Sequence, residues 1–237
     1  MKEKVFGILG AMQSEVEHLR SVMEGAEEHS AFGLPVWTGR LSGQRVALVQ
    51  CGIGKVLSAR SAQLLIDLFG ANFLINTGIA GGIGEGLSIG DAVVASDLVQ
   101  HDYDLRPMGR VLGNLADSPN MDVPTSLAPA PQDVEALRLA AESLLGPSHV
   151  HVGRIVSGDQ FIAGREKRLE LRATFHALAA EMEGAAVAQV AIACGLPFVV
   201  IRILSDLADG GAPASFEEFE QKTADIAAKV TLEFLKR

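Results

Sequence analysis

Residues 180–206 read AEMEGAAVAQVAIACGLPFVVIRILSD, in which a helical segment precedes an apolar run. Its first part, residues 183–194, carries small or apolar side chains on nearly every face of a helix, so we expect protein to enclose that helix. Its second part, residues 197–205, is a short apolar run that predicts a strand. A helix followed directly by such a strand is typical of α/β proteins.

The same alternation of short apolar runs and longer helical segments extends along the chain and predicts an α/β fold. Further strands are predicted at residues 5–9, 36–41, 45–50, 73–76, 91–99, 152–157 and 177–181. Further helices are predicted at residues 14–23, 56–69, 132–145, 165–173 and 215–236. Two of the strands form a hairpin that turns at Ser42 and Gly43. Because 237 residues fit one hydrophobic core and no composition break marks a second unit, we expect a single domain over residues 1–237.

The charge balance limits the kinds of partner that this protein can have. Its 20 basic and 29 acidic side chains give a formal net charge of −9, which argues against nucleic acid or an anionic membrane as the main partner. The apolar run in the N-terminal segment MKEKVFGILG is too short for a signal peptide. No stretch reaches the roughly 18 apolar residues of a membrane span, so we expect a soluble protein.

The two cysteines, Cys51 and Cys194, lie far apart in apolar contexts and lack the spacing of metal ligands. We interpret them as inert, buried thiols of a reduced, cytoplasmic protein. No metal is expected.

Three glycine-containing segments differ from known nucleotide-binding loops. GIGK, residues 52–55, lacks the upstream glycine and the following hydroxyl residue of a P-loop, and GILGAM, residues 7–12, lacks the three spaced glycines of a dinucleotide site. No cofactor is therefore expected. TGIAGGIGEGLSIG, residues 77–90, holds six glycines and forms either a loop that brings backbone close to a ligand or a simple turn.

Residues 101–131 carry five of the nine prolines and show no sustained period. Long loops of this kind are usually lids, binding loops or contacts to another subunit. The segment also holds the sole tyrosine, Tyr103, within QHDYDL. We therefore favour a binding or interface role over plain disorder.

Four acids and one arginine stand where a site could form. Glu181 and Glu183, at the start of the enclosed helix, either complement its positive end as solvated groups or need a partner from the chain or a ligand. Glu15 and Asp206 each follow a predicted strand, at the carboxyl ends where ligands gather in open α/β sheets. Arg202 lies inside the last strand and needs acceptors, either in a structural ion pair or in a catalytic role.

Six motifs carry a family resemblance: GILGAMQSEVEHLR, CGIGKVLSA, NTGIAGG, VSGDQFI, EMEGAAVA and IRILSDLAD. They occur in the order found in bacterial 5′-methylthioadenosine/S-adenosylhomocysteine nucleosidases, of the purine nucleoside phosphorylase superfamily. The chain resembles this family from Gly7 to Phe219. The resemblance implies a three-layer α/β/α sandwich with a central twisted mixed β-sheet.

The resemblance also implies hydrolysis of the bond that joins adenine to ribose in these nucleosides. Asp206 matches the general acid that protonates N7 of adenine, a duty that requires a raised pKa at neutral pH. Glu15 matches the carboxylate that activates the attacking water. Glu183 matches the group that holds the ribose hydroxyls and favours a cationic sugar, whereas Glu181 is expected to brace the strand end.

Further residues match the substrate pocket of the family. Phe161 matches the aromatic ring stacked on adenine, and the backbone of Ile162 matches the groups that read the base edge. Ser205 is expected to steady Asp206. Ile53, Met182 and Phe216 match apolar groups around the sugar. Ile79, Ala80 and Gly81 lie in the matching glycine segment. Arg202 matches an arginine near the water. Ile79 replaces the serine of many relatives, so only its backbone remains to hold the water.

Leu105 and Met108 match a loop that in the family meets the 5′ substituent of a nucleoside held by a neighbouring subunit. The resemblance therefore implies a homodimer, with the proline-rich loop reaching across. Their apolar side chains suggest an apolar 5′ pocket without fixing its length.

Other functions stay open from the sequence. A phosphorylase would need arginines around its phosphate, and GAMQSE and NTGIAGG offer no cation, which favours hydrolysis. A non-catalytic purine-binding protein could keep Phe161, but the presence of Glu15, Glu183 and Asp206 favours an enzyme. Relatives cleave 5′-methylthioadenosine, S-adenosylhomocysteine, 5′-deoxyadenosine or 6-amino-6-deoxyfutalosine, and the sequence does not choose among these adenine nucleosides.

Overall fold

The structure, a computed structural model, describes residues 3–115, 126–208 and 212–237. The strands in these ranges are β1 Val5–Gly10, β2 Glu24–Ala31, β3 Leu34–Leu41, β4 Gln44–Gln50, β5 Phe73–Gly82, β6 Ala92–Gln100, β7 Val150–Ser157, β8 Ala179–Glu181 and β9 Phe198–Asp206. The α-helices are α1 Gln13–Ser21, α2 Lys55–Phe69, α3 Pro131–Leu145, α4 Arg165–Phe175, α5 Gly184–Ala193 and α6 Ala212–Phe234. The predicted α/β alternation is confirmed.

The strands form one mixed sheet. β1 lies between β4 and β5 and is parallel to both, and β5 is also parallel to β9. β6 runs parallel to β7 and antiparallel to β9, while β2, β3 and β4 form an antiparallel edge that includes the predicted hairpin. The parallel strands β1, β5 and β9 therefore bring their carboxyl ends to the same edge of the sheet.

Helices cover both faces of this sheet. On one face, α1, α3 and α6 bury an apolar layer that includes Leu19, Leu137 and Val230. On the other face, α2 and α5 bury a second layer that includes Leu65 and Val187. Because a sheet with two apolar faces is stable only when both are covered, the result is the expected three-layer α/β/α sandwich.

The glycine-rich segment is not wholly a loop, and the prediction is wrong for its first half. β5 runs through that half and pairs with β9. A Cβ at Gly78 would lie 2.2 Å from Oε1 of Glu15, and a Cβ at Gly81 would lie 3.0 Å from Oδ1 of Asp206. Glycine is therefore needed inside this strand because two carboxylates approach its backbone closely.

Two further expectations need correction. β2 was not predicted, because its sequence EGAEEHSA is mostly exposed and charged and lacks an apolar alternation; charged side chains suit a strand at the edge of a sheet. Cys194 is exposed, not buried, because it caps the carboxyl end of α5, whereas Cys51 is buried as expected. Burial raises the pKa of the Cys51 thiol, which keeps it protonated.

Part of the proline-rich segment can be described. A short 3₁₀ turn spans Arg106–Met108, and Leu127 pairs with Leu98 of β6 in an isolated bridge. The prediction of a binding or interface loop over residues 101–131 also covers residues 116–125, which lie outside the described residues. In the described parts of the chain, no helix combines the length and apolar character that a bilayer crossing requires.

Candidate active site

A cavity of about 100 Å³ lies at the shared edge where β1, β5 and β9 end. Its lining includes most of the predicted site residues: Glu15, Ile53, Ile79, Ala80, Gly81, Phe161, Met182, Glu183, Ser205, Asp206 and Phe216. Glu15, Glu183 and Asp206, which are far apart in the sequence, therefore surround one space. The position of Glu15 and Asp206 after predicted strands predicts this for two of the three.

Glu15 enters the cavity from the first turn of α1. Its Oε2 accepts hydrogen bonds from the backbone N–H groups of Ala11 at 2.6 Å and Met12 at 3.0 Å, and its Oε1 accepts one from Ile79 at 2.9 Å. Burial raises the pKa of Glu15, against the opposing charge of Arg202 and these three hydrogen bonds. The three hydrogen bonds thus fix the orientation of the Glu15 side chain, while burial disfavours its charged form.

Glu183 lies just before α5 and reaches the cavity beside the GIGK loop. Its Oε1 accepts a 2.8 Å hydrogen bond from the backbone N–H of Gly54. Burial and the neighbouring charge of Glu181 raise the pKa of Glu183 to about 8, against the charge of Arg202 and the Gly54 hydrogen bond. Glu183 is therefore a carboxyl group whose charge depends on what binds next to it.

Glu181 is buried next to Glu183, and its carboxylate accepts hydrogen bonds from four protein groups. It accepts hydrogen bonds from the backbone N–H groups of Glu183 at 3.0 Å and Gly184 at 2.8 Å, and from the side chains of Ser157 and Arg202. Burial opposes its charged form, but the Arg202 guanidinium and these donors outweigh burial and lower the pKa of Glu181. The prediction that Glu181 braces the strand end is confirmed.

Arg202 lies beneath the cavity rather than in its lining. The side chain is 2% exposed and pairs with Glu181, while its Nη2 lies 3.8 Å from Oε2 of Glu183. It also donates to Asn76, at 2.6 Å to the side-chain Oδ1, and to the carbonyl of Ile201 at 3.0 Å. The structural ion pair is therefore confirmed. Arg202 influences the cavity electrostatically, because its positive charge opposes the rise in the pKa of Glu183.

Asp206 ends β9 and is 1% exposed. The hydroxyl of Ser205 donates to its Oδ2 at 3.0 Å, and the backbone N–H of Ala208 donates to its Oδ1 at 2.8 Å. The expected contact between Ser205 and Asp206 is present. These two donors come from residues close to Asp206 in the chain, and the Asp206 side chain lines the cavity.

Apolar side chains form the mouth of the cavity. The rings of Phe161 and Phe216 meet edge to face with centroids 5.7 Å apart, and Phe161 is 50% exposed. Ile53 is likewise half exposed, and Met182 lines the wall. A flat ring entering here would meet the exposed face of an aromatic side chain.

Three predicted residues besides Arg202 do not line the cavity. The side chain of Ile162 is buried in a separate apolar cluster that includes Leu171 and Phe175 of α4. Leu105 precedes the 3₁₀ turn, and Met108, the last residue of that turn, is 72% exposed. Their contact with a neighbouring subunit remains a prediction.

Some lining residues were missed by the sequence argument. They are Ala11, Met12 and Ala180, whereas Glu181, which the sequence analysis singles out, also lines the cavity. Ala11 and Met12 follow β1 directly, so their position after a strand end was the signal that could have found them. Within residues 3–115, 126–208 and 212–237, no cluster of three or more His, Cys, Asp or Glu side chains is arranged to hold a metal ion.

Residues 5–236 match the family model described as the phosphorylase superfamily. The 5′-methylthioadenosine/S-adenosylhomocysteine nucleosidase of Actinobacillus succinogenes is 40% identical over 232 residues, which cover 97% of this chain and 95% of the relative. The crystal structure of S-adenosylhomocysteine nucleosidase from Streptococcus pyogenes in complex with 5-methylthiotubericidin is 36% identical, with a TM-score of 0.93 and coverage of 100% and 98%.

A relative of different specificity also superimposes closely. The futalosine hydrolase of Helicobacter pylori is 32% identical, with a TM-score of 0.89 and coverage of 98% of this chain and 97% of that one. These likenesses span essentially the whole chain and agree with the resemblance that the six motifs carry. The chain belongs to the phosphorylase superfamily and, within it, to the family of 5′-methylthioadenosine/S-adenosylhomocysteine nucleosidases.

Proposed function

We propose that this protein hydrolyses the N-glycosidic bond of 5′-methylthioadenosine and S-adenosylhomocysteine and releases adenine and the 5′-thioribose product. The observation that carries the proposal is the convergence of Glu15, Glu183 and Asp206 on one cavity with Phe161 at its mouth. The family membership of the chain supports the same reaction.

Asp206 is the general acid of this proposal. A purine leaves its sugar slowly as an anion and readily once N7 is protonated, so a proton donor beside the base lowers the barrier. The side chain lines the cavity, is almost fully buried and accepts hydrogen bonds from Ser205 and Ala208. That arrangement supports a carboxyl group directed at the base.

Glu15 activates the attacking water on the other side of the sugar. Three backbone N–H groups fix its orientation, and burial raises its pKa, which makes its carboxylate a stronger base. Ile79 lacks the hydroxyl of the serine that many relatives have at this position. Its backbone N–H donates a hydrogen bond to Glu15. The water is held by Glu15 in this chain.

Glu183 binds the ribose hydroxyls and stabilises positive charge on the sugar. Hydroxyl donors favour the charged form of a carboxyl group, so bound ribose would lower the raised pKa of Glu183 and leave a carboxylate facing the developing cation. Phe161 stacks on adenine with Phe216 supporting its edge. The backbone of Ile162 reads the base edge, and Ile53 and Met182 contact the sugar side.

Hydrolysis is favoured over phosphorolysis by the charge of the lining. Within the described residues, the cavity wall carries carboxylates and no arginine or lysine, and the nearby Arg202 is committed to Glu181. A phosphate ion needs cations or several N–H donors, so this wall repels it. Water is therefore the nucleophile that the site accepts.

The reaction is tested by incubating the protein with 5′-methylthioadenosine in the presence and absence of phosphate. We expect adenine release at the same rate in both cases and a free 5-methylthioribose product. Release that depends on phosphate, with a sugar 1-phosphate as product, would reject hydrolysis. Tight adenine binding without any turnover would instead indicate a non-catalytic binding protein.

A second candidate substrate is 6-amino-6-deoxyfutalosine. The observation that favours it is the close superposition on the H. pylori futalosine hydrolase. All these nucleosides share adenine and ribose, so the three acids serve each of them equally, and only the region beyond the 5′ carbon discriminates. Comparison of kcat/KM on 5′-methylthioadenosine, S-adenosylhomocysteine, 5′-deoxyadenosine and 6-amino-6-deoxyfutalosine identifies the preferred substrate.

The protein acts as a homodimer in the cytoplasm in this proposal. Met108 is highly exposed at the end of the turn that matches the subunit contact of the family, and Leu105 precedes that turn. Cys51 and Cys194 are unpaired, which suits a reducing compartment. Sedimentation of the purified protein, with and without Met108→Asp, tests the dimer.

A further inference from the structure

Three segments meet beside the cavity, and an ion pair together with two hydrogen bonds connects them. The first is the GIGK loop at residues 52–55, the second is residues 158–164 with Phe161, and the third begins at His101. Nζ of Lys55 donates to Oδ1 of Asp102 at 2.5 Å and to Oε1 of Gln100 at 3.2 Å. This contact joins the first loop to the third.

Asp102 and Asp159 extend the connection to the second loop. Oδ2 of Asp102 accepts a 2.9 Å hydrogen bond from the backbone N–H of Asp159. The Asp159 side chain in turn accepts a 2.9 Å hydrogen bond from the backbone N–H of Lys55. Lys55, Asp102 and Asp159 therefore form a closed ring of contacts, here called the mouth clamp.

The mouth clamp lies next to both halves of the substrate site. Gly54, one residue before Lys55, donates the hydrogen bond that holds Glu183. Phe161 follows Asp159 by two residues. A Cβ at Gly54 would lie only 3.0 Å from Oδ1 of Asp159, so the two loops meet with no space between them. Movement of one loop must therefore move the other.

Burial distinguishes this pair from the surface ion pairs of the chain. The side chains of Lys55 and Asp102 are 17% and 20% exposed, whereas those of Arg106 and Asp104, two residues further along, are 62% and 37% exposed. An exposed pair within one turn contributes little to order. A partly buried pair between loops is less screened and restricts their relative position.

His101 packs against the start of the loop at residues 158–164, which carries Phe161. It is 4% exposed, and a Cβ at Gly158 would lie 2.2 Å from its Nε2, so its ring packs directly against the start of the Phe161 loop. Its backbone N–H donates to the carbonyl of Ser157 at 2.9 Å. The segment HD, residues 101 and 102, thus holds the base-stacking loop by packing and by a hydrogen bond.

We infer that Asp102 is a positioning residue for the proposed reaction, and that through Lys55 and Asp159 it fixes the distance between the base-stacking ring of Phe161 and the ribose-binding Glu183. This inference rests on the proposed function. It gives a role to the GIGK and QHDYDL motifs, which contain no group that lines the cavity other than Ile53. Burial opposes the charged form of Asp102, but the bonds from Lys55 and Asp159 outweigh it and lower the pKa of Asp102.

The test compares four variants with the wild-type protein. Asp102→Asn removes the charge from the clamp, Lys55→Met removes its cation, and Lys55→Arg keeps the cation. Asp67→Asn is the matched control, because Asp67 is an exposed acid on the same helix as Lys55 and accepts a 3.0 Å hydrogen bond from Gln63, one turn away on that helix. The dissociation constant of adenine by calorimetry, kcat and KM for 5′-methylthioadenosine, and Tm are measured for each.

We expect Asp102→Asn to weaken adenine binding and to raise KM by about tenfold, while kcat stays within about threefold. This pattern is expected because the mouth clamp contributes equally to the binding of the substrate and of the transition state. Lys55→Met should shift both constants in the same direction by less, because the bond from Asp159 N–H to Asp102 remains. Lys55→Arg and Asp67→Asn should match the wild type.

Other results would overturn the inference. Wild-type adenine affinity and KM in Asp102→Asn, or equal losses in Lys55→Arg and Lys55→Met, would show that the ion pair does not set the loop positions. If Asp102→Asn fails to fold, the comparison of the two Lys55 variants decides alone. Absence of turnover in the wild type rejects the proposed function instead, while the adenine affinities still decide the role of the clamp.

Discussion

The backbone N–H of Gly54 donates a 2.8 Å hydrogen bond to Oε1 of Glu183, a residue 129 positions further along the chain. Gly54 has a φ of 103°, a conformation that side chains other than hydrogen rarely allow. The contact therefore depends on glycine at this place in the GIGK loop. It gives one oxygen of Glu183 to the protein and leaves the other near Arg202, 3.8 Å from Nη2.

Asp206→Asn is expected to abolish turnover and preserve the fold. The amide keeps the size of the carboxyl group but has no acidic proton to give to N7, so kcat should fall by about 10²- to 10⁴-fold, the usual contribution of general acid catalysis. Adenine release is followed by absorbance, with Tm and adenine binding as evidence of folding. Near-normal kcat in a folded variant would remove Asp206 from its proposed role.

Glu183→Gln is expected to change the pH dependence of stability. Burial and the charge of Glu181 raise the pKa of Glu183 to about 8, so from its ordinary value up to pH 8 the folded state holds a proton that the unfolded state releases. The stability of the wild type therefore falls as pH rises through this window. Since glutamine does not titrate, the Tm of the variant minus that of the wild type should become more positive from about pH 5 to about pH 9.

Calorimetry at constant ionic strength measures this difference. Glu17→Gln serves as the control, because Glu17 is an exposed acid on α1. Its Tm difference should stay flat over the same range. A flat or declining difference for Glu183→Gln would mean that Glu183 carries no raised pKa in the folded protein.

Gly78→Ala is expected to disable the water-activating side of the site. The new methyl group would lie 2.2 Å from Oε1 of Glu15, whose backbone donors leave it little room to move. Displacement of a catalytic group by about 1 Å commonly costs about 100-fold in rate, so kcat/KM should fall by at least that factor. Gly164→Ala, at a glycine with nothing within 4 Å of the added Cβ, should keep wild-type kcat/KM. Equal activity of the two variants would contradict the assignment of Glu15.

Phe161→Ala is expected to weaken adenine binding with little effect on stability. Stacking of a base on an aromatic ring is worth about 1–3 kcal/mol, so the dissociation constant should rise by about 5- to 150-fold. Because Phe161 is 50% exposed, its removal leaves no core cavity and Tm should change little. Phe32→Ala, in the turn between β2 and β3, is the control for loss of an exposed ring. Unchanged adenine affinity in Phe161→Ala would place the base elsewhere.

The positions of the acids illustrate how far sequence reasoning reaches. Glu15 and Asp206 were found because each follows an apolar strand, and parallel strands end at one edge of a sheet. Ala11 and Met12 also follow a strand directly, but their side chains carry no catalytic or charged group that would mark them as site residues. The mouth clamp of Lys55, Asp102 and Asp159 carries no such signal, because its three members stand in three separate segments of the chain.

The α/β class, the order of the main elements other than β2, the family and the acids that face the cavity all follow from the amino-acid sequence. These follow from local patterns, because apolar periodicity, turn residues and short motifs are properties of neighbouring positions. Only the tertiary structure shows that the partner of Glu181 is Arg202 and that β5 continues through its glycines. Such outcomes depend on hydrogen bonds, burial and charge between residues far apart in the chain, and only packing brings those residues together.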